Sequence, residues 1–241
     1  MKRVLALIPA AMMLIAASAS PHKVVRTIPA LDFTFEWPAE AAAIPALDLQ
    51  LYTEAKRDLA EALRNALEDQ TLARQQKRDF NQHDFSMKWS VAGQSARLLS
   101  LQNELGSFEG GAHPNSNYGA LLWDRDQNRE VALPSLFAAA TQFAALTRAT
   151  YCKKLDLERA KRREGDKLGG DFDKCPKYSE LAVSLADRNR NGRFDQISFV
   201  ASPYVAGPYV EGAYEITLPV TSAIIAALKP EYRASFEVHR Q

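Results

Sequence analysis

The chain has 241 residues, of which 46% are hydrophobic and 24% are charged. These proportions are those of an ordinary globular protein, so they exclude a disordered, collagen-like or repeat architecture. The length allows one large domain or two small ones. The 30 basic and 29 acidic residues give a formal charge of +1, which is too balanced for a protein that binds nucleic acid by neutralising phosphates.

Residues 1–19 predict a secretory signal peptide. Lys2 and Arg3 precede an uncharged apolar run, and Ala17-Ser18-Ala19 supplies the small residues of a cleavage site. The run is shorter than the roughly 20 residues that a helix needs to cross a bilayer. An uncleaved anchor and a buried core helix are the alternatives. We expect a periplasmic or secreted protein with no membrane span after signal cleavage.

The first half of the mature chain predicts one long helix among strands. Residues 31–37 alternate apolar and polar with period two, as a half-buried strand does, after a short mobile leader. Residues 48–74 predict a helix, because apolar residues recur there at helical spacing. The stripe contains Leu51, Ala55, Leu59, Ala62 and Ala66. Further strands are predicted at 85–91, 97–108, 118–123 and 131–133.

The second half predicts a second helix over 135–155, opened by Pro134 and Ser135, and then more strands. The predicted strands are 181–186, 194–200 and 214–220, followed by a short helix ending at Lys229 and an edge strand at 236–238. This order predicts an α+β fold of antiparallel sheets packed with two main helices and a short C-terminal helix. We divide it into an N-terminal part, 20–107, and a C-terminal domain, 108–241.

The only two cysteines, Cys152 and Cys175, lie in the part predicted to be exported. In an oxidising compartment a lone pair is most simply a disulfide. Between them, at 153–174, lie eight basic and six acidic residues. Such a segment cannot bury a core of its own, so it predicts a solvated insertion that the disulfide closes at its base.

Three stretches together resemble a known family. They are Gly110-Gly111-Ala112-His113, then 131–137 (VALPSLF), and then 199–209 (FVASPYVAGPY), with Gly212 and 215–219 (EITLP) following. Their order resembles the extracytoplasmic domain pair of the RsiV-like anti-sigma factors, a pair that also precedes the catalytic domain of PdaC-type peptidoglycan deacetylases. The C-terminal member of the pair is a domain of unknown function, and the resemblance covers roughly residues 31–228.

The resemblance implies a domain that senses or binds at the cell envelope, with lysozyme as the partner in the RsiV-like factors, and it implies no catalytic residues. It does not extend to a cytoplasmic sigma-binding segment, a membrane helix or a deacetylase domain with an Asp/His metal triad. Signalling through regulated proteolysis is therefore not expected of this chain.

The loop Glu109-Gly110-Gly111-Ala112-His113 has three interpretations. Two glycines before a strand permit close backbone approach or a bulge, which is a structural role. The loop alternatively contacts a ligand through Gly110, Gly111 and His113. A His beside Glu109 alternatively serves as a general base, although no nucleophile motif such as G-x-S-x-G accompanies it.

Tyr204, Tyr209 and Tyr214 stand in a segment rich in proline and glycine. Tyrosine combines a large apolar ring with a polar tip, which suits contact with a glycan or a protein surface. Packing in the core or at a sheet edge is the alternative for at least two of them. We take Tyr204 and Tyr209 as candidate binding residues.

Residues 187–195 (DRNRNGRFD) match the first nine positions of an EF-hand loop, with oxygen ligands at Asp187, Asn189, Asn191 and Asp195 and glycine at position six. Position 12, where a bidentate Glu is expected, is Ser198. The simpler interpretation is a hairpin turn built on Asn191-Gly192. A weakly bound structural Ca²⁺ in the same turn is the alternative, and no other cofactor is expected.

The sequence therefore favours an exported binding or sensing module whose partner is an envelope protein or peptidoglycan. A hydrolase of envelope polymers that uses His113 and Glu109 is one alternative. A structural envelope protein with bound Ca²⁺ is the other. The absence of a recognisable nucleophile, metal triad or paired-carboxylate motif makes an enzyme the less favoured class.

Overall fold

The computed structural model describes residues 20–239. The predicted signal peptide, 1–19, lies outside the described residues. The strands are β1 His22–Ile28, β2 Leu31–Trp37, β3 His83–Gln94, β4 Leu98–Phe108, β5 Asn115–Asp124, β6 Arg129–Glu130, β7 Ala182–Ala186, β8 Gln196–Ala201 and β9 Tyr214–Pro219. The α-helices are α1 Ala39–Ala42, α2 Pro45–Gln76, α3 Thr141–Arg162 and α4 Ser222–Ala227. The α+β class predicted from the sequence is confirmed.

The first sheet has six strands in the order β1-β2-β3-β4-β5-β6. All of its pairs are antiparallel except β2 with β3, which is parallel. The predominance of antiparallel pairs is as predicted, and the parallel pair follows from α2, because a 32-residue helix returns the chain to the end from which β2 started. The predicted mobile leader is wrong, since it forms β1 and pairs along the whole of β2.

Helix α2 covers one face of this sheet. Pro45 begins the helix at a position where proline is favoured, and Lys77 ends it with a left-handed backbone, φ 53°. The predicted apolar stripe is confirmed in outline, because Leu51, Ala55 and Ala66 are buried against the sheet. The alternation of β2 places Phe33 and Phe35 in the same core.

The second sheet is antiparallel, in the order β7-β8-β9, and α3 and α4 pack on it. Helix α3 begins later than predicted, because 133–136 form a 3-10 turn and Phe137 is extended. The backbone of Phe137 instead bridges to Leu228. The predicted edge strand at 236–238 does not form, and Phe236 makes only an isolated bridge with Phe194.

The two sheets pack directly on each other. The backbone N–H of Leu185 in β7 donates to Ser100 Oγ in β4, 2.9 Å away, and the N–H of Tyr118 in β5 donates to Ser202 Oγ at 3.0 Å. The predicted boundary between 107 and 108 falls inside the first sheet, because β4 and β5 pair across it. The two faces of β4 and β5 contribute to different cores, since Leu121 and Trp123 belong to the first core and Leu98 and Leu122 to the second.

The Cys152–Cys175 disulfide is present, with the two Cα atoms 5.5 Å apart. The segment that it closes is not simply solvated, as the sequence predicted. Helix α3 continues into it as far as Arg162, and Arg159 and Arg163 are only 4% and 9% exposed. No helix within residues 20–239 is long and apolar enough to cross a membrane.

Candidate functional site

The GGAH loop joins β4 to β5 at one end of the first sheet. Gly110 has φ +76°, a left-handed conformation that a glycine adopts without steric cost. Gly111 and the residues up to Asn115 are exposed. The loop therefore presents His113 to solvent, and burial does not fix the imidazole.

The structure brings three of the predicted binding residues together. The His113 ring stacks on Tyr209 with the centroids 4.0 Å apart, and Tyr209 lies 5.8 Å from the ring of Tyr204. The Tyr209 hydroxyl donates to the carbonyl oxygen of Pro114 at 2.6 Å, which joins the two loops. We call His113, Tyr204 and Tyr209 the aromatic surface. Gly110 and Gly111 shape the loop that carries its histidine.

Tyr204 has an unusual backbone. Its φ is +70°, a left-handed conformation that costs a non-glycine residue of order 1–3 kcal/mol. Its side chain is nevertheless 54% exposed, so burial of the ring does not compensate the strain. Val210, the residue after Tyr209, is 90% exposed. Exposed aromatic and aliphatic side chains on a strained turn are typical of a contact surface.

Two buried arginines hold the segment that carries Tyr204 and Tyr209. Arg159 Nε donates to the carbonyl oxygen of Ala206 at 2.9 Å. Arg163 donates to both carboxylate oxygens of Glu211, at 2.8 and 2.9 Å. Gly207 is required here because a Cβ at this position would collide with the Glu211 carboxylate.

The ionisation of this cluster follows from its hydrogen bonds. The bond from Arg163 is the main reason that the pKa of Glu211 lies below its usual value, and a bond from the Tyr214 hydroxyl adds to it. The same bond to Glu211 raises the pKa of Arg163. Burial, then the hydrogen bond to Glu211, raises the pKa of Tyr214. The turn is therefore fixed by an ion pair at neutral pH.

The geometry around His113 gives no support to a catalytic pair. The imidazole Nδ1 lies 2.9 Å from the carbonyl oxygen of Pro114, and the ring face is covered by Tyr209. Among the described residues no hydrogen bond joins His113 to Glu109. The hydrolase hypothesis requires a contact between His113 and Glu109, and the described structure does not contain it.

The loop 187–195 forms a tight turn in which backbone N–H groups donate hydrogen bonds to the aspartate carboxylates. Asp187 accepts hydrogen bonds from the N–H groups of Asn191 and Gly192, at 3.1 and 2.8 Å. The carboxylate of Asp195 closes the turn by accepting from the Arg188 N–H at 3.0 Å, and its other oxygen lies 2.8 Å from His239 Nδ1. The side-chain oxygens of Asp187 and Asp195 are thus both engaged by hydrogen-bond donors.

Sequence reasoning missed Glu237 at this turn. Its Oε1 accepts from the side-chain amides of Asn189 and Asn191, at 2.5 and 2.9 Å. These bonds hold the pKa of Glu237 below its usual value. Within residues 20–239 no cluster of three or more His, Cys, Asp or Glu side chains is arranged to hold a metal ion.

Comparison with known proteins identifies the fold. No protein-family model matches the sequence, and no curated protein is similar to it. A member of the DUF3298 family from Bacteroides fragilis has 15% sequence identity and a TM-score of 0.55, over 89% of this chain and 95% of that chain. A DUF3298 family protein from Pseudomonas aeruginosa PAO1 has 18% identity and a TM-score of 0.54, over 91% of this chain and 97% of that chain. The likeness shows that this chain has the fold of a domain family of unknown function.

Proposed function

We propose that this chain is an exported envelope binding module of the RsiV-like type, and that the aromatic surface contacts its partner. The observation that carries the proposal is the cluster of exposed His113 and Tyr204 around the half-buried Tyr209 on a rigidly held turn. A rigid aromatic side chain loses little entropy on binding, which is why tyrosine is enriched among residues that dominate binding energy.

The chemistry of the surface supports a protein or peptidoglycan partner. The exposed side chains of Tyr204 and Val210 offer apolar contact, and the Tyr204 hydroxyl and the Nε2 atom of exposed His113 offer hydrogen bonds at the edge. The resemblance to the RsiV-like domains favours a lysozyme-like protein. The predicted signal peptide supports a location in the periplasm or outside the cell.

The test is retention of the purified protein on immobilised lysozyme and on insoluble peptidoglycan. Tyr204→Gly and His113→Ala are expected to reduce retention on one of them at least tenfold. His113→Ala should change the melting temperature by only about one or two degrees, since exposed substitutions change stability by about 0.5 kcal/mol or less. Tyr204→Gly should not lower it, since glycine adopts the left-handed conformation without strain. Tyr52→Ala is the control, because Tyr52 is an equally exposed tyrosine on α2.

Equal retention of the two variants and the Tyr52→Ala control would contradict a role for the aromatic surface. No retention of the parent protein on either matrix at micromolar concentration would reject both partners. A large fall in melting temperature for His113→Ala would instead assign that histidine a structural role.

A structural Ca²⁺ site in the turn 187–195 is a second candidate function. Glu237 brings a carboxylate beside Asn189 and Asn191, where Ser198 fails to provide the acidic residue of an EF-hand. Its Oε1 accepts from their amide N–H groups, so Ca²⁺ would have to replace these hydrogen bonds. The low formal charge of the turn suits the weak affinities of extracellular sites, about 10⁻⁴–10⁻³ M.

At about 5 mM Ca²⁺, binding in this range stabilises the folded protein by about 1–2 kcal/mol, and a rise in melting temperature is expected. Asp187→Ala should abolish the rise, whatever its effect on stability without calcium. Asp171→Ala, which removes an exposed carboxylate elsewhere, should keep it. If Ca²⁺ leaves the melting temperature of the parent protein unchanged, the turn is a hairpin only.

A further inference from the structure

A polar groove runs between the two sheets, and its lining does not include the residues of the aromatic surface. Its floor is formed by side chains of β3, β4 and β5, and its far wall by β7 and β9 together with the C-terminal end of α3. The central cavity has a volume of about 640 Å³, which is within the usual range for ligand sites. We call it the inter-sheet groove.

The groove arises from a change of composition along one face of β4. Leu98 and Ser100 on this face are buried under the second sheet. Gln102 and Glu104 continue the same face, because alternate residues of a strand point the same way, but both are exposed. The second sheet thus diverges from the first where the sequence becomes polar, and the space between them is lined by hydrogen-bonding groups.

Tyr118 lies beside one carboxylate, Glu104 on the neighbouring floor strand, while a second, Glu215, lies on the opposite wall. The Tyr118 hydroxyl lies 3.4 Å from Glu104 Oε1. Burial raises the pKa of Tyr118, and the charges of Glu104 and Glu215 raise it further. The hydroxyl therefore stays protonated at neutral pH and can donate a hydrogen bond. Glu215 has one further contact, with Ser198 Oγ at 3.3 Å.

The groove is longer than the central cavity. A depression of about 260 Å³ adjoins it and shares Lys88 and Glu104. A second, of about 370 Å³, adjoins it on the other side, shares Tyr118 and Gly119, and ends against the aromatic rings of Phe143 and Tyr178. An elongated ligand fits this shape better than a compact one.

The balance of charges in the groove and the backbone pairing of its floor strands restrict the class of ligand that fits. Lys88 and Arg162 balance Glu104 and Glu215, so the central cavity does not favour a polyanion or a polycation. β3 and β4 are interior strands of the first sheet, so their backbone groups are paired and cannot bind an extended peptide by strand addition. β5 pairs with β6 only at Trp123 and Asp124, so a peptide at the free edge of β5 is the alternative ligand. Side-chain amides, hydroxyls and carboxylates remain, from Ser90, Gln102, Asn103, Glu104 and Ser184.

We propose that the inter-sheet groove binds an oligosaccharide, as a second site distinct from the aromatic surface. Each sugar hydroxyl both donates and accepts, which matches a mixed lining of carboxylates, amides and hydroxyls. The Tyr118 ring lies between the central cavity and the adjoining depression of about 370 Å³, and it offers an apolar face to a sugar ring.

The test is calorimetric titration of the full chain with chitohexaose and with cellohexaose, and with an uncharged hexapeptide as the alternative ligand. At least one oligosaccharide is expected to bind, and Glu104→Ala is expected to weaken it at least tenfold. Glu61→Ala, which removes an exposed carboxylate on α2, is the control and should leave the affinity unchanged. Ser90→Trp, which fills the groove without changing a charge, should also abolish binding.

Failure of both oligosaccharides to bind at millimolar concentration would overturn the proposal, as would binding that is insensitive to both groove variants. Binding of the hexapeptide alone would also overturn it. Tyr204→Gly separates this proposal from the proposed function, because it should weaken partner retention and leave oligosaccharide binding unchanged. Loss of oligosaccharide binding in Tyr204→Gly would show that the groove is not a separate site.

Discussion

Replacing Asp124 with alanine is expected to lower the free energy of unfolding by about 3–5 kcal/mol, the usual cost of removing one partner of a buried ion pair. Asp124 is fully buried at the end of β5. Arg97 donates to both carboxylate oxygens, at 2.9 to 3.2 Å, and the Tyr232 hydroxyl donates at 3.0 Å. The substitution leaves the Arg97 guanidinium, whose side chain is 19% exposed, without its main partner.

The same carboxylate joins the two cores. Tyr232 belongs to the second core, and its ring lies 4.3 Å from the Arg97 guanidinium carbon. Burial alone would raise the pKa of Asp124, but hydrogen bonds from Arg97, the Gln127 backbone and Tyr232 outweigh burial and lower it. Asp124 is therefore ionised at neutral pH. Its loss should weaken the contact between the first sheet and the 3-10 helix Pro230–Ser235, which carries Tyr232.

The measurement is urea unfolding of Asp124→Ala against the parent protein. Asp126→Ala is the matched control, because Asp126 also lies near Arg97, at 3.5 Å, but its side chain is 67% exposed. We expect the control to cost less than about 1 kcal/mol, as exposed ion pairs do. Equal effects of the two substitutions would contradict a structural role for the buried carboxylate.

Local patterns in the sequence were sufficient for much of the fold. The alternation in 31–37 gave β2 its buried face, and the apolar stripe of 48–74 gave α2 its packing face. Both predictions depend on neighbours within a few residues along the chain. The parallel pairing of β2 with β3 could not be predicted in this way, because it depends on where β3 begins after the 32 residues of α2.

The charged residues at the C-terminal end of α3 show a second limit of prediction from local sequence patterns. Arg159 and Arg163 stand in a strongly charged segment, for which a solvated surface is the natural prediction. Their burial depends on acceptors distant in sequence, the Ala206 carbonyl and the Glu211 carboxylate. The contact of His113 with Tyr209 is also distant in sequence, although the residue types alone identified both as candidates. Glu104 and Tyr118 carried no motif and could be found only from the shape of the groove.

Glu211→Gln is expected to lower the free energy of unfolding at neutral pH by about 1.5–3 kcal/mol, the value of hydrogen bonds to a charged group. Glu211 is largely buried, with 11% of its side chain exposed, and accepts from Arg163 and Tyr214. Glutamine keeps the shape but removes the charge and presents N–H donors towards the guanidinium.

The effect of Glu211→Gln should depend on pH in one direction. The pKa of Glu211 lies below the ordinary 4.5 in the folded protein, so ionisation favours folding above pH 4.5. As the pH falls below that value and passes through the folded pKa, the parent protein loses this stabilisation and the glutamine variant does not. The stability difference between the two should therefore be constant near neutral pH and shrink in acid.

Urea unfolding of both proteins across the acidic range measures this difference. Glu158→Gln is the matched control, since Glu158 pairs with Arg162 on the surface of α3, with 31% of its side chain exposed, and should cost only about 0.3–0.5 kcal/mol. A Glu211→Gln difference that stays constant into acid would contradict the ion pair as its cause. Because Glu211 fixes the turn beside Tyr209 and Val210, partner retention through the aromatic surface should weaken over the same acidic range in the parent protein.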